Sequence, residues 1–66
     1  MIIVNGEPSH VVAPGATVAQ LLAALDVGER GVAVAVDAEV VPRGEWPTFA
    51  VPDGARVEVL IAVQGG

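Results

Sequence analysis

A single amphipathic helix stands among strand-forming runs, and it limits the layer arrangements open to this chain. Thr17 lies three residues before Gln20, the spacing of a capping box that marks a helix start. Val18, Leu21, Leu22 and Leu25 then fall at i, i+3, i+4 and i+7, one apolar stripe. Ala19, Ala23 and Ala24 fill the remainder with the strongest helix former, and Gly28 and Gly31 bracket the exit. Such a stripe must be buried, and the rest of the sequence offers strands to cover it.

Met1 to Val4 is a β-branched apolar run that stops at Asn5-Gly6, the strongest two-residue hairpin signal. Glu7 to Ala13 follows as the return strand, with Pro8 tolerable near its start or at an edge, and Pro14-Gly15 breaks it. After the helix, Val32 to Val36 is apolar on both faces, the pattern of a central strand covered on at least one side. Asp37-Ala38 marks a turn into a short strand, Glu39 to Val41, which Pro42 terminates. Arg43 to Val51 reads as irregular, Pro52-Asp53-Gly54 as a turn, and Arg56 to Val63 as the last strand. The order is strand, strand, helix, strand, strand, strand. The expected fold class is α+β, a mixed sheet of four to five strands with one helix packed on one face.

The chain then ends in Gln64-Gly65-Gly66. Glycine has no Cβ, so a bare glycine pair enters slots too narrow for any other residue. At about 3.3–3.6 Å per extended residue the last four residues reach on the order of 13 Å. This suits a protein whose reactive group is its own C-terminal carboxylate, handed into the active sites of other enzymes. Taken alone, the glycine pair also fits a frayed end. The expectation is a domain over 1–63 and a flexible tail over 64–66.

Composition narrows the function classes. Sixty-six residues make one domain and leave no room for a core plus a deep substrate pocket, so a self-contained enzyme is not expected. Eight carboxylates against three arginines give a net charge of −5, which argues against nucleic acid and suits a basic protein surface. No apolar run approaches the roughly 20 residues needed to span a bilayer, and the opening Met1 to Gly6 lacks a signal-peptide pattern. The expected setting is cytoplasmic, without membrane attachment. Cysteine and lysine are both absent, which excludes thiolate chemistry and lysine-linked chains of the protein itself. His10 has no companion at metal spacing, so no metal site is expected.

The strand and helix order, with a glycine pair leaving the last strand, resembles the ubiquitin-like β-grasp arrangement. In detail the chain resembles the ThiS family, the small sulfur carriers of thiamine biosynthesis. The resemblance lies in Ile3-Val4-Asn5-Gly6-Glu7, in Thr17-Val18-Ala19-Gln20-Leu21-Leu22 and in Val34-Ala35-Val36. It continues through Val40-Val41-Pro42-Arg43-Gly44-Glu45-Trp46, Asp53-Gly54-Ala55-Arg56-Val57-Glu58 and Ala62-Val63-Gln64-Gly65-Gly66. These blocks cover nearly the whole chain in register. Two departures fall in expected turns: Asp37-Ala38 stands where the family usually has Asn-Gly, and Ala55 where it has a second acidic residue.

The resemblance implies a protein cosubstrate, not an enzyme. An adenylating enzyme using MgATP would activate the Gly66 carboxylate, a sulfur donor would convert it to a thiocarboxylate, and thiazole synthase would receive the sulfur. Gln64 and Gly65 would form the part of the tail that enters the partner active sites. The chain itself would bind no cofactor. A terminal carboxyl ionises at about 3.3–3.7 in model peptides, so such a group is anionic and ready as an oxygen nucleophile at neutral pH. Other readings remain open: a carrier for another acceptor, in molybdopterin or amino-acid synthesis, and a ubiquitin-like modifier or binding module. Trp46 and Phe49, the only aromatics, are better read as core fillers than as a docking patch. The expected docking face is the sheet surface leading to the tail, with Leu60 and Ala62.

Overall fold

The computed structural model describes residues 1–28 and 30–62. Strands β1 (Ile2–Val4) and β2 (Glu7–Ser9) lead into helix α1 (Val18–Ala24). Strands β3 (Val32–Val36) and β4 (Glu39–Val40), a 3-10 turn (Arg43–Glu45) and strand β5 (Arg56–Ile61) complete the chain. The sheet order is β2-β1-β5-β3-β4. β5 runs parallel to β1 and antiparallel to β3, and the two hairpins β1–β2 and β3–β4 form the flanks. This is the expected mixed sheet with one helix on one face.

Val32 to Val36 is an interior strand covered on one side, as its apolar pattern predicts, and β5 takes the middle position of the five. β3 is interior between β5 and β4, but only Val34 and Val36 of its five residues are fully buried. Its alanines on the other face meet no covering layer.

Helix α1 is capped at both ends. Thr17 Oγ1 accepts from the Gln20 N–H at 3.1 Å and Gln20 Oε1 accepts from the Thr17 N–H at 2.8 Å, so the capping box is closed. The Val18 and Ala19 N–H groups donate to the carbonyls of Phe49 and Trp46 at 2.9 and 3.0 Å. The orphan donors of the first turn therefore tie the helix to the long crossover before β5. At the other end Asp26, not a glycine, takes the left-handed conformation, with φ 58°. The Val27 N–H donates to Leu22 O at 3.0 Å and the Asp26 N–H to Ala23 O at 3.1 Å, the two bonds of a Schellman motif. Val27 packs against the core cluster to which Leu22 belongs.

The core lies between α1 and the inner sheet face. Val18, Leu21 and Leu22 of the helix meet Ile2, Val34, Val57 and Val59 of the strands. Trp46 is only 3% exposed and its Nε1–H donates to Val41 O at 2.9 Å, so its polar edge is satisfied inside the core. Phe49 is partly buried against the same cluster, and no buried side-chain polar atom among the described residues lacks a partner. Both aromatics are core fillers.

Four strand boundaries differ from the sequence expectation, the first being that β1 starts at Ile2 instead of Met1. β2 ends at Ser9 instead of Ala13, because Ser9 pairs with Ile2 and β1 offers no further residue to pair with. β4 ends at Val40, and Val41 turns inward to 2% exposure with its N–H on Val34 O. β5 ends at Ile61, while Val63 lies outside the described residues.

Asn5-Gly6 and Asp37-Ala38 both build hairpin turns with two positive φ angles, 51° and 83° in the first, 51° and 68° in the second. Positive φ at both central residues is the type I′ requirement, so the departure from Asn-Gly leaves the turn type unchanged. It leaves a cost, since an L-residue in the left-handed region is less stable by about 1–2 kcal/mol. Glycine would remove that cost at Ala38 but lose more backbone entropy on folding, by about 0.4–1 kcal/mol. Ala38→Gly is therefore expected to raise the unfolding free energy by about 0.5–1 kcal/mol, measured by urea denaturation. Unchanged or lower stability would show that Ala38 carries no backbone strain.

Candidate functional site

Helix α1 covers one face of the sheet and nothing in the described residues covers the other. Register places the side chains of that open face. Val34 and Val36 point to the core, so Ala33 and Ala35 point outward. Ala33 lies opposite Leu60, Ala35 lies between Glu58 and Val40, and Ile3 lies opposite Arg56. The outer face thus carries an apolar strip of Val40, Ala35, Ala33 and Leu60, flanked by the charges of Glu58 and Arg56. Leu60 is 63% exposed and Val40 71%, a large apolar surface for so small a body.

The strip leads to the end of β5. Ile61 pairs with Val32 and by alternation belongs to the inner face, yet it is 61% exposed because α1 does not extend over it. Ala62 is exposed, and its N–H donates to Gly31 O at 2.6 Å, continuing the attachment to the β3 side. Leu60 and Ala62, expected at a docking face, are therefore solvent-exposed at the end of β5 and just after it. Gln64, Gly65 and Gly66, the expected tail and its modified residue, lie outside the described residues.

Two turn residues act on β5 in a way the sequence reading did not anticipate. Asn5 Oδ1 accepts from the Val59 N–H at 2.8 Å, and Asn5 Nδ2 donates to Val59 O at 3.2 Å. Asp37 Oδ1 accepts from the Arg56 N–H at 2.9 Å, while the Asp37 N–H donates to Arg56 O at 2.8 Å. The first strand residue and a later one are thereby held from opposite flanks. The available signal was the residue type: Asn and Asp tolerate the left-handed region and carry a short side chain that binds nearby backbone.

Other chemistry is sparse. Among the described residues no three His, Cys, Asp or Glu side chains lie close enough to hold a metal ion, and His10 is exposed in the segment after β2. An open groove of about 310 Å³ between β4 and the crossover is lined by Val36, Asp37, Glu39, Phe49, Ala50 and Pro52. Its polar lining side chains are the carboxylates of Asp37 and Glu39. No helix among the described residues is long and apolar enough to cross a membrane.

The comparisons with known proteins agree with this geometry. The ThiS family profile matches residues 2–66. The chain is 33% identical over 66 residues to the sulfur carrier protein ThiS of Escherichia coli (strain K12), covering all of both chains. It is also 37% identical over 65 residues to a thiazole synthase of Paramagnetospirillum magneticum (strain ATCC 700264 / AMB-1), covering 98% of this chain and 20% of that protein. The crystal structure of a thiamine biosynthesis protein, ThiS, from Geobacter metallireducens superposes with a TM-score of 0.81 at 39% identity, covering 98% of this chain and 97% of that one. A solution structure of a thiamine biosynthesis protein from the same organism gives 0.78 at 39% identity, covering 98% and 86%. A β-grasp sheet with one covered face, matched in sequence from its second residue to its last, places this chain in the ThiS family.

Proposed function

We propose that this chain is a sulfur carrier for thiazole formation in thiamine biosynthesis, a cosubstrate whose reactive atoms are those of its terminal carboxylate. The observation that carries this reading is the family match, which runs without a break through the sheet to Gly66. The matching segment within a thiazole synthase supports that enzyme as the sulfur acceptor. Molybdopterin or amino-acid precursors, and the modifier reading, have no such support.

In the proposed cycle a carboxylate oxygen of Gly66 attacks the α-phosphorus of ATP, held with magnesium by an adenylating partner. The bond to the β-phosphate oxygen breaks, and pyrophosphate leaves with its electron pair. The product is an acyl-adenylate, whose AMP is a far better leaving group than oxide. A hydrosulfide-equivalent donor then attacks the acyl carbon, AMP departs, and loss of a proton leaves the thiocarboxylate. Thiazole synthase consumes that sulfur. Gln64 and Gly65 would thread the narrow entrance to each partner site, where the absence of a Cβ on Gly65 and Gly66 allows close approach.

The body contributes docking and reach. The strip of Val40, Ala35, Ala33 and Leu60 is the face we assign to the partners, since it borders the strand that leads toward the tail. Burying exposed Leu60 and Val40 against a partner removes apolar area from water, and a few such anchors dominate most interfaces. The acidic body adds long-range attraction to a basic partner surface, which acts mainly on the association rate.

Deletion of Gly66, or of the Gly65-Gly66 pair, is expected to abolish sulfur acquisition while leaving circular dichroism and the thermal midpoint unchanged. The assay is intact mass after incubation with the adenylating enzyme, ATP and sulfide, with the sulfur trapped by a thiol-selective alkylating reagent and located on a C-terminal fragment. A truncated protein that still acquires ATP-dependent sulfur would sink the proposal. Leu60→Asp places a charge in the assigned interface and is expected to raise the KM for the carrier in the adenylation step roughly tenfold or more. An unchanged KM would move the docking face elsewhere.

A further inference from the structure

β1 ends at Val4, paired with Val57, and the chain then turns away into the hairpin. From Glu58 onward, β5 has a backbone neighbour only on the β3 side. Even-numbered residues of β5 direct their peptide groups to β3, as the bonds at Arg56 and Ala62 show. Odd-numbered residues direct theirs to β1: Ala55 O accepts from the Ile3 N–H at 2.9 Å and Val57 O from the Asn5 N–H at 2.8 Å. Val59 is the next odd residue, and no strand remains to meet it. The Asn5 carboxamide takes that place, presenting one acceptor and one donor in the arrangement of a peptide unit.

We propose that Asn5 is a positioning residue for the tail: its side chain extends the parallel ladder by one step and fixes the line along which β5 leaves the sheet. This rests on the carrier reading. A reactive terminus that must enter the active sites of separate enzymes gains from a rigid root, because ordering that is completed in the free protein need not be completed on binding. Without the clamp, β5 beyond Val57 is tied along one flank only, and Val59 exposes an unpaired N–H and C=O at the sheet margin. The left-handed conformation of Asn5, with φ 51°, aims the carboxamide back across the strand end. A β-branched residue here would fit neither the turn nor the clamp.

Asn5→Gly is the informative variant, because glycine keeps the positive φ and the hairpin while removing both side-chain bonds. Two readouts are taken on the same protein: amide hydrogen exchange by NMR, and steady-state adenylation by the partner enzyme. The expected result is exchange at Val59 faster by about tenfold, the scale of one lost hydrogen bond, with Val34 and Leu21 little changed. The KM for the carrier should rise several-fold while kcat stays within about twofold. Asn5→Asp retains the turn and the acceptor for the Val59 N–H, and should recover most of the KM. A merely structural role would lower the thermal midpoint without a selective change at Val59 or in KM, and that outcome overturns the proposal. So does native protection of Val59 in Asn5→Gly, or lost protection with an unchanged KM. A wild-type chain that is never adenylated, in an assay where a control carrier is, overturns the carrier reading and the positioning role with it. An adenylated wild type with kinetically silent Asn5→Gly overturns the positioning role alone.

Discussion

Strand β5 is hydrogen-bonded on both flanks, and the rest of the molecule is arranged around that double attachment. Its β1 side carries the parallel ladder and the Asn5 carboxamide, and its β3 side carries the antiparallel ladder from Val36 to Val32. The two hairpins have no direct pairing with each other and meet only through β5. Removing β5 would leave two two-stranded ribbons, which are marginal in water by themselves. The C-terminal strand thus closes the fold, and its inward residues Val57 and Val59 complete the core against α1. A strand so placed cannot be displaced without unfolding the sheet. Its far end consequently stands as a firm point from which a chain can project.

Among the described residues the sheet has one cover, because they supply one α-helix. With 66 residues the core is confined to a single layer between α1 and the inner face. The crossover from Arg43 to Ala55 seals the margin: Trp46 and Val51 are buried, and the carbonyls of Trp46 and Phe49 serve the helix N-terminus. Among the described residues the outer face has no such seal. A solvated antiparallel face ordinarily alternates apolar inside with polar outside. Here Leu60 and Val40 break that rule while Glu58 and Arg56 follow it. The breach is local, lies on the side of the sheet from which the last strand departs, and is where a partner would find both apolar area and reach.

What the sequence made legible follows the range of the interactions. The capping box at Thr17 and Gln20, the stripe over Val18 to Leu25, and the hairpin at Asn5-Gly6 are set by residues within a few positions of one another, and each stands in the structure. The helix exit comes before the bracketing Gly28 and Gly31, because Asp26 takes the left-handed conformation directly after the cap residue Leu25. The length of β2 was overestimated because a strand is as long as its partner allows, and β1 begins at Ile2. The centrality of β5 was hidden for the same reason: a pattern of apolar residues records burial, not which neighbours lie on each flank. The second role of Asn5 was out of reach, since it appears only once β5 is known to run parallel to β1. Leu60 and Ala62 were placed near the departing end by position alone, and the register then set Leu60 on the open face. The tail residues Gln64 to Gly66 owe their assignment to residue type and family resemblance.

The parallel pairing of β1 with β5 has a chemical consequence for a carrier. Parallel strands begin at the same end of a sheet, so Met1 lies beside the turn that precedes β5. There the N-terminal ammonium is paired with Asp53, and Met1 O accepts from the Gly54 N–H at 2.8 Å. β5 then runs away from that corner for six residues, roughly 20 Å at the usual rise of a strand. The sequence contains no lysine and no cysteine. An acyl-adenylate is attacked by any accessible amine or thiolate, and its useful lifetime depends on their absence. The amine of Met1 stands beside the start of β5, paired with Asp53, at the opposite end of the strand from Ile61. An antiparallel pairing of the first and last strands would have brought that amine to the same end as Ile61. The topology that makes β5 the centre of the sheet therefore also sets the Met1 amine at the opposite end of that strand from Ile61.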